Sequence, residues 1–562
     1  MNRIFTAVLA LFIIFPLLIS AQSDFYSSGT GVHDAELLAG SMDTGELLGQ
    51  LFMIGFFGAD PAPEILSWIE GRNLGGVKIF GWNVVDLPTL GSTIGSYQKA
   101  AAETRLKIPL FIATDQEGGW VRHIKGKTSI TPGNLSIGAT RLPYDAYMTG
   151  FYIGTQLRTL GINMNFAPTV DVYTNPEADV IGPRSFSSNP KETAEMSVAF
   201  FQGQNVSGVI STAKHFPGHG NVTQDSHGVL PVIHTQMETL WNRELLPYRY
   251  LVKKELPAIM SGHLAFPEIT GEIEPASLSH YFLTGLLREK MGFEGVIITD
   301  DMRMGGATST TKDTSEACIK AIEAGNDIIL ISHGVDIYEE VWESMLNRMK
   351  EDPGFKEKVQ QAVRRILTIK LKYLRGVNRV PPYPDAHTIK ESIPSLEAKD
   401  FFFNEACRSV TMIRDESIPL NPESAGKILI AAPYRLFLST GKKYFPNADT
   451  FYFPFTPLQN EIPRFKESLL KAAANHDTVI FSMANRTGVE ILEQLKELNC
   501  RVIVISSLTP VYLKDLPWIK SAIAVYGTGQ ESFTAGFSAL LGSFKPEGTL
   551  PIPLDKSGYP SE

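Results

Sequence analysis

The chain has 562 residues, 43% of them hydrophobic and 20% charged. That balance excludes a disordered or fibrous polymer and leaves room for two domains with sizeable cores. The formal charge of -9 gives no basic excess, so neither nucleic acid nor an anionic lipid surface has electrostatic support as a partner, and a neutral or small partner fits better.

The opening stretch "MNRIFTAVLALFIIFPLLISAQ" carries one arginine, an apolar run from Ile4 to Ile19 and then small residues. This is the layout of a secretory signal, with residues 1–21 removed after Ala21 and the mature chain secreted or periplasmic, without stable membrane insertion. A retained anchor is the alternative, which Pro16 and the short run disfavour. No cysteine follows the run, so a lipoprotein anchor is not indicated. The three cysteines, Cys318, Cys407 and Cys500, are odd in number and far apart, and are expected as buried free thiols rather than metal ligands.

From about residue 50, short apolar runs alternate with helical patterns: "LFMIGFF", "GGVKIF", "PLFIATD", "NMNFAPTVDV", "GVISTAKHF", "PAIMSGH", "GVIITDD" and "NDIILIS". Between them "AYMTGFYIGTQLRTLG", "KETAEMSVAFFQGQNV" and "YFLTGLLREKMG" place apolar residues three and four apart. Eight such alternations predict a (β/α)8 TIM-type barrel over residues 40–376. Polar residues gather at the carboxyl ends of the predicted strands: Asp115, Asp171, Lys214 with His215, His263, and Asp300 with Asp301. A barrel of this kind keeps its chemistry at that end.

The Pro-rich stretch "VNRVPPYPDAH" opens a linker over residues 377–400. Residues 401–562 then repeat the alternation with "GKILIAAPY", "DTFYFPF", "DTVIFSMAN", "CRVIVISS" and "SAIAVYGTG", predicting an α/β sandwich domain on an open parallel sheet of five or so strands. No Gly-rich phosphate fingerprint opens its helices, so a nucleotide role is not expected there.

The segment "KHFPGHGNVTQDSH", residues 214–227, holds three histidines, a lysine and an aspartate. Its residue types admit three readings: a metal cage of His215, His219, Asp225 and His227; a proton-transfer pair; or a rigid turn whose histidines satisfy carbonyls. Asp225 and His227 stand two apart, so in an extended stretch both project to one side and the carboxylate can orient the imidazole. "GFEGVIITDDMRMGG" adds two aspartates directly after an apolar run. A carboxylate there can attack an anomeric carbon while a second group moves the proton, and Asp301 can also cap the following helix.

"KHFPGHG" with a downstream "DSH", together with "ATDQEGG", "IGPRSF" and "GFEGVIITDD", resembles glycoside hydrolase family 3, in its bacterial β-N-acetylglucosaminidase branch. The closing "TAGFSALLGSFKPEGTLPIPL" resembles the α/β sandwich of the two-domain members. The resemblance implies Asp300 as nucleophile, His227 as general acid/base with Asp225 as its partner, and Asp115, Arg184, Lys214 and His215 as sugar-holding residues, with His263 lining the pocket. It also implies a mobile loop after the fifth strand, for which Gly218 and Gly220 would supply backbone freedom.

Where many members carry an arginine after "DQEGG", this chain has Trp120, placed either to stack on a sugar or to pack under the rim. The activity implied is a retaining exo-β-N-acetylglucosaminidase, active as a monomer with no metal or organic cofactor, releasing terminal N-acetylglucosamine from cell-wall fragments or chitin-like oligosaccharides. A β-glucosidase or an N-acetylglucosaminide phosphorylase of the same family is the alternative. Outside it stand a metallohydrolase and a non-catalytic glycan-binding protein.

Overall fold

A computed structural model describes residues 24–27, 29–222 and 228–555. The leader-like residues 1–21 lie outside the described residues, as do Asp225 and His227. Among the described residues no helix is long and apolar enough to cross a membrane.

All eight predicted strands form, and in chain order: β1 (Phe52–Gly55), β2 (Gly76–Lys78), β3 (Phe111–Thr114), β4 (Met164–Asn165), β5 (Ile210–Phe216), β6 (Ala258–Ser261), β7 (Val296–Thr299) and β8 (Ile329–Ile331). They pair in parallel in the order β8-β1-β2-β3-β4-β5-β6-β7, and a bridge from Ile298 to Ile328 closes the ring. Their continuous apolar character follows from burial on both faces, inside by the barrel core and outside by the helices. The helices Pro143–Thr159 and Pro190–Val206 lie where the spacing placed them. Tyr281–Lys290 is also helical, but it is wound as a π-helix, which an apolar stripe of three and four residue spacing does not reveal.

The residues 377–400 are not a loose tether. Helix Ala386–Ser392 sits within them, and Val380, Ile389 and Ile393 are buried in the same apolar cluster as the barrel.

The second domain holds six strands: β9 (Thr411–Asp415), β10 (Ile428–Ala432), β11 (Asp449–Tyr452), β12 (Thr478–Met483), β13 (Arg501–Ser507) and β14 (Ser521–Tyr526), in the order β9-β14-β13-β12-β10-β11. Five are the predicted parallel runs. The sixth, β9, is an antiparallel edge strand that follows helix Leu396–Ser409 with no turn signal between them. Alternate residues of the central strands enter two cores, Ile430, Ile480 and Ile503 on one face and Leu429, Val479 and Val504 on the other, so helices cover the sheet on both sides. Cys318 is buried as expected, whereas Cys407 and Cys500 are only half-buried, and all three are free thiols.

The domains are joined by polar contacts. Buried Asp145 of the barrel takes a two-point contact from Arg408, at 2.6 and 3.2 Å. The carbonyl of Pro551 accepts from the hydroxyl of Ser187 and the N–H of Ser188.

Candidate active site

A cavity of about 350 Å³ opens at the carboxyl ends of the barrel strands and is lined by Asp115, Glu117, Arg184, Lys214, His215 and Asp300, among others. The structure therefore brings together all the sugar-holding candidates except His263. It sets Asp300 on the opposite side of the ring, since β7 lies four places from β3 on either arc.

Lys214 and His215 are consecutive, yet both line the cavity. In a regular strand neighbours face opposite ways. Here the β5–β6 register shifts between Ala213 and Phe216, and this irregularity turns both side chains to the mouth. Lys214 Nζ contacts Asp115 Oδ1 and lies 2.6 Å from Glu117 Oε1. Arg184 grips Glu117 with both arms of its fork, Nε to Oε2 at 2.9 Å and Nη2 to Oε1 at 2.7 Å. Lys78 Nζ reaches the other oxygen of Asp115 at 2.5 Å. The result is an alternating network of three cations and two carboxylates.

Burial pushes Glu117 up, but the charges of Arg184 and Lys214 outweigh it and hold the carboxyl at about 2. Asp115 is likewise driven well below the carboxylate range, with Lys214 and Lys78 overcoming its burial. Lys78 goes the other way: burial lowers it despite Asp115.

Asp171, at the end of the chain leaving β4, orients the next part of the wall. It accepts from His215 Nδ1 at 2.8 Å and from the backbone N–H of His215 and His219 at 3.2 and 2.7 Å. The Nε2 side of His215 faces Arg184 Nη2 at 3.3 Å. His219 and His123 also line the cavity, and burial lowers each to about 4.

Asp300 leaves β7 with its N–H bonded to the Ser261 carbonyl at 2.9 Å, and its Oδ1 accepts from the N–H of Asp301 at 2.8 Å. Burial favours its neutral form, but the fields of His215 and His263, the Asp301 N–H and Lys214 prevail and lower its pKa. Asp301 lines the cavity too, while its Oδ1 accepts from the N–H groups of Arg303 and Ser332; it does not cap the following helix Gly305–Thr308, whose N-cap is Met304.

Two further expectations need correction. His263 does not line the cavity. It is buried beneath the Asp300–Asp301 step, with Nδ1 on the Ser277 hydroxyl at 2.7 Å and Nε2 on the Asp301 carbonyl at 3.2 Å. Gly220 is required for space and not for freedom, since a Cβ there would lie 1.7 Å from the Val172 carbonyl oxygen, whereas Gly218, at φ +136°, needs a backbone conformation that favours glycine as well as the space, a Cβ there lying 2.6 Å from Glu244 Cβ. Sequence reasoning missed Glu117 and Lys78, although a lysine inside the apolar run "GGVKIF" was a visible signal. Among the described residues no group of three or more His, Cys, Asp and Glu is placed to hold a metal ion.

The second domain reaches this site in two places. Trp120, on the hairpin between Gln116–Gly118 and Val121–Arg122, is 49% exposed and meets the Phe455 ring edge-on at 6.3 Å. The loop that delivers Arg184 is held by Tyr512 on Asp179 at 2.7 Å and by Lys514 and Arg486 on Glu177.

Residues 44–369 match the glycosyl hydrolase family 3 N terminal domain. The chain is 36% identical over 332 residues to beta-hexosaminidase A of Pseudoalteromonas piscicida, an alignment covering 55% of each chain, so it spans about half the length of that relative. It is 32% identical over 283 residues to a beta-hexosaminidase of Idiomarina loihiensis, covering 50% of this chain and 82% of the other. Its structure is similar to that of a glycoside hydrolase family 3 beta-N-acetylglucosaminidase from Paenibacillus, with a TM-score of 0.83 and 27% identity, covering 91% of this chain and 99% of the other.

Proposed function

The chain belongs to glycosyl hydrolase family 3, and from that premise we propose that it is a retaining exo-β-N-acetylglucosaminidase. The observation that carries this reading is the arrangement of an ionised Asp300 across the cavity from the Asp115, Lys214, Glu117 and Arg184 network. A terminal sugar seated there would place hydroxyl and acetamido oxygens against Lys214 and Arg184 and hydroxyl hydrogens against Asp115. In the first step Asp300 bonds to the anomeric carbon as the bond to the leaving oxygen breaks, and His227 gives that oxygen its proton. In the second, His227 takes a proton from water, which displaces Asp300 and restores the original configuration.

Removal of single terminal units is in keeping with the Gln116–Arg122 hairpin, whose Trp120 stands beside the sugar-holding network and meets Phe455 of the second domain. The relatives named beta-hexosaminidase support the acetamido sugar as substrate. The leader-like opening supports export, which makes cell-wall fragments or chitin-like oligosaccharides outside the cytoplasm the proposed source, with the protein acting as a monomer.

The test is turnover of aryl β-N-acetylglucosaminide against aryl β-glucoside, with and without phosphate and chelator. The acetamido sugar is expected to be turned over at least about 100-fold more efficiently, matching the penalty for leaving polar groups of the site unpaired. Neither phosphate nor chelator should alter the rate. No turnover of the acetamido sugar would refute the reading.

His227→Ala checks the proton step separately. It should lower kcat by about 100-fold or more on an oligosaccharide, whose leaving alcohol needs the proton, and much less on an activated aryl leaving group. Equal losses on both substrates would remove His227 from the acid role.

A further inference from the structure

We propose that Phe57 and Trp82 form a binding ledge for the sugar on the leaving side of the scissile bond. The ledge rests on the reading above, in which the terminal ring meets Asp115, after β3, and Lys214, on β5, with its anomeric carbon at Asp300. A ring held that way directs its glycosidic oxygen from Asp115 toward Asp300, which lies across the cavity. On the rim past Asp300, β8, β1 and β2 are the next strands of the ring.

That arc carries an aromatic group that nothing in the fold requires to be exposed. Phe57 follows β1 directly and is 63% exposed; Trp82 follows β2 and is 45% exposed. Trp82 stacks on Phe80, which lines the cavity, with centroids 4.3 Å apart and planes 10° from parallel. The platform is thus continuous from the cavity to the rim. It is also rigid: the Trp82 indole N–H donates to the Phe56 carbonyl at 2.8 Å, and Asn83 donates to the carbonyls of Phe56 and Gly58 at 2.9 and 2.7 Å. The Phe57 ring lies 5.6 Å from the Trp82 ring and 5.0 Å from that of His333, which follows β8.

An exposed aromatic patch beside a cleft is characteristic of ligand-binding surface. Flat aromatic faces suit the C–H face of a pyranose, and a ring fixed in place before binding loses little side-chain entropy when it is covered. The occupant is accordingly a neutral sugar joined through its hydroxyl to the terminal unit.

The test compares two substrates in the wild type, Phe57→Ala, Trp82→Ala and Trp82→Phe. One is the β-1,4-linked trisaccharide of N-acetylglucosamine; the other is β-N-acetylglucosaminyl fluoride, whose leaving group has no ring to stack. The alanine variants should each lower the trisaccharide-to-fluoride ratio of kcat/KM by about ten-fold, with most of the loss in KM, and Trp82→Phe should restore most of it. Phe57→Ala keeps the test sound if Trp82→Ala folds poorly, because so exposed a ring leaves no core cavity when removed. An unchanged ratio in folded Phe57→Ala, with fluoride turned over normally by the wild type, would overturn the ledge alone. A wild type that does not turn over the fluoride would instead overturn the parent reading, and the ledge with it.

Discussion

Asp300→Ala is expected to lower kcat on an aryl β-N-acetylglucosaminide by on the order of ten thousand-fold, with the fold intact. The magnitude follows from the role: without the carboxylate there is no covalent intermediate, and the remaining groups can only bind and polarise. The backbone of residue 300 is held by the Ser261 carbonyl whatever the side chain, and Asp301 keeps its own contacts with Arg303 and Ser332, so the cavity should keep its shape. The space left by the carboxylate admits a small anion. Azide should therefore restore turnover in Asp300→Ala by attacking the anomeric carbon from the vacated face, giving a glycosyl azide of inverted configuration. Loss of activity without azide rescue, or rescue with retained configuration, would remove Asp300 from the nucleophile role.

The same residue constrains the pH profile. As the proposed nucleophile Asp300 would act in its ionised form, and its pKa is held below the ordinary 3.8. It stays ionised as the pH falls from 7 to 5. Any loss of kcat/KM in that interval must come from another group, so the acid limb should not be assigned to the nucleophile.

The barrel was legible because its strands are buried on both faces and so appear as short apolar runs, with polar residues placed at one end of each. The edge strand β9 was not, because a single antiparallel strand against a helix has neither a paired run nor a turn signal. Within the site, residues at strand ends were visible, as Asp115, Lys214 and Asp300 show. Glu117 was hidden by its setting: "TDQEGG" reads as a solvated Gly-rich turn, and only the folding of the 116–122 hairpin over the mouth buries it. His263 misled for the opposite reason. It ends a strand like the others, but the Asp300–Asp301 step lies over it and takes its place in the lining.

Glu117 is therefore the residue whose removal should reveal most about how the site is held. It is 1% exposed and joins Arg184 to Lys214, so Glu117→Gln takes from Arg184 its carboxylate partner and leaves Lys214 with Asp115 alone. Breaking a buried pair from one side costs about 3–5 kcal/mol, because the stranded charge loses both its partner and water. The variant should unfold at lower denaturant by that margin at neutral pH.

The sign of the pH dependence is fixed by the low folded-state pKa. Glu117 sits at about 2 in the folded protein against 4.5 when unperturbed, so its stabilising share is complete above about pH 4.5 and is lost as the pH falls toward 2. The stability gap between wild type and Glu117→Gln should close over that interval and stay constant above it. A purely structural role would show only this loss. If Glu117 also aims the two cations at the sugar, kcat/KM of the folded variant should fall by about 100-fold or more, since two charge-assisted contacts lose their geometry together. Full kcat/KM in folded Glu117→Gln would confine Glu117 to stability and leave the positioning of Lys214 to Asp115.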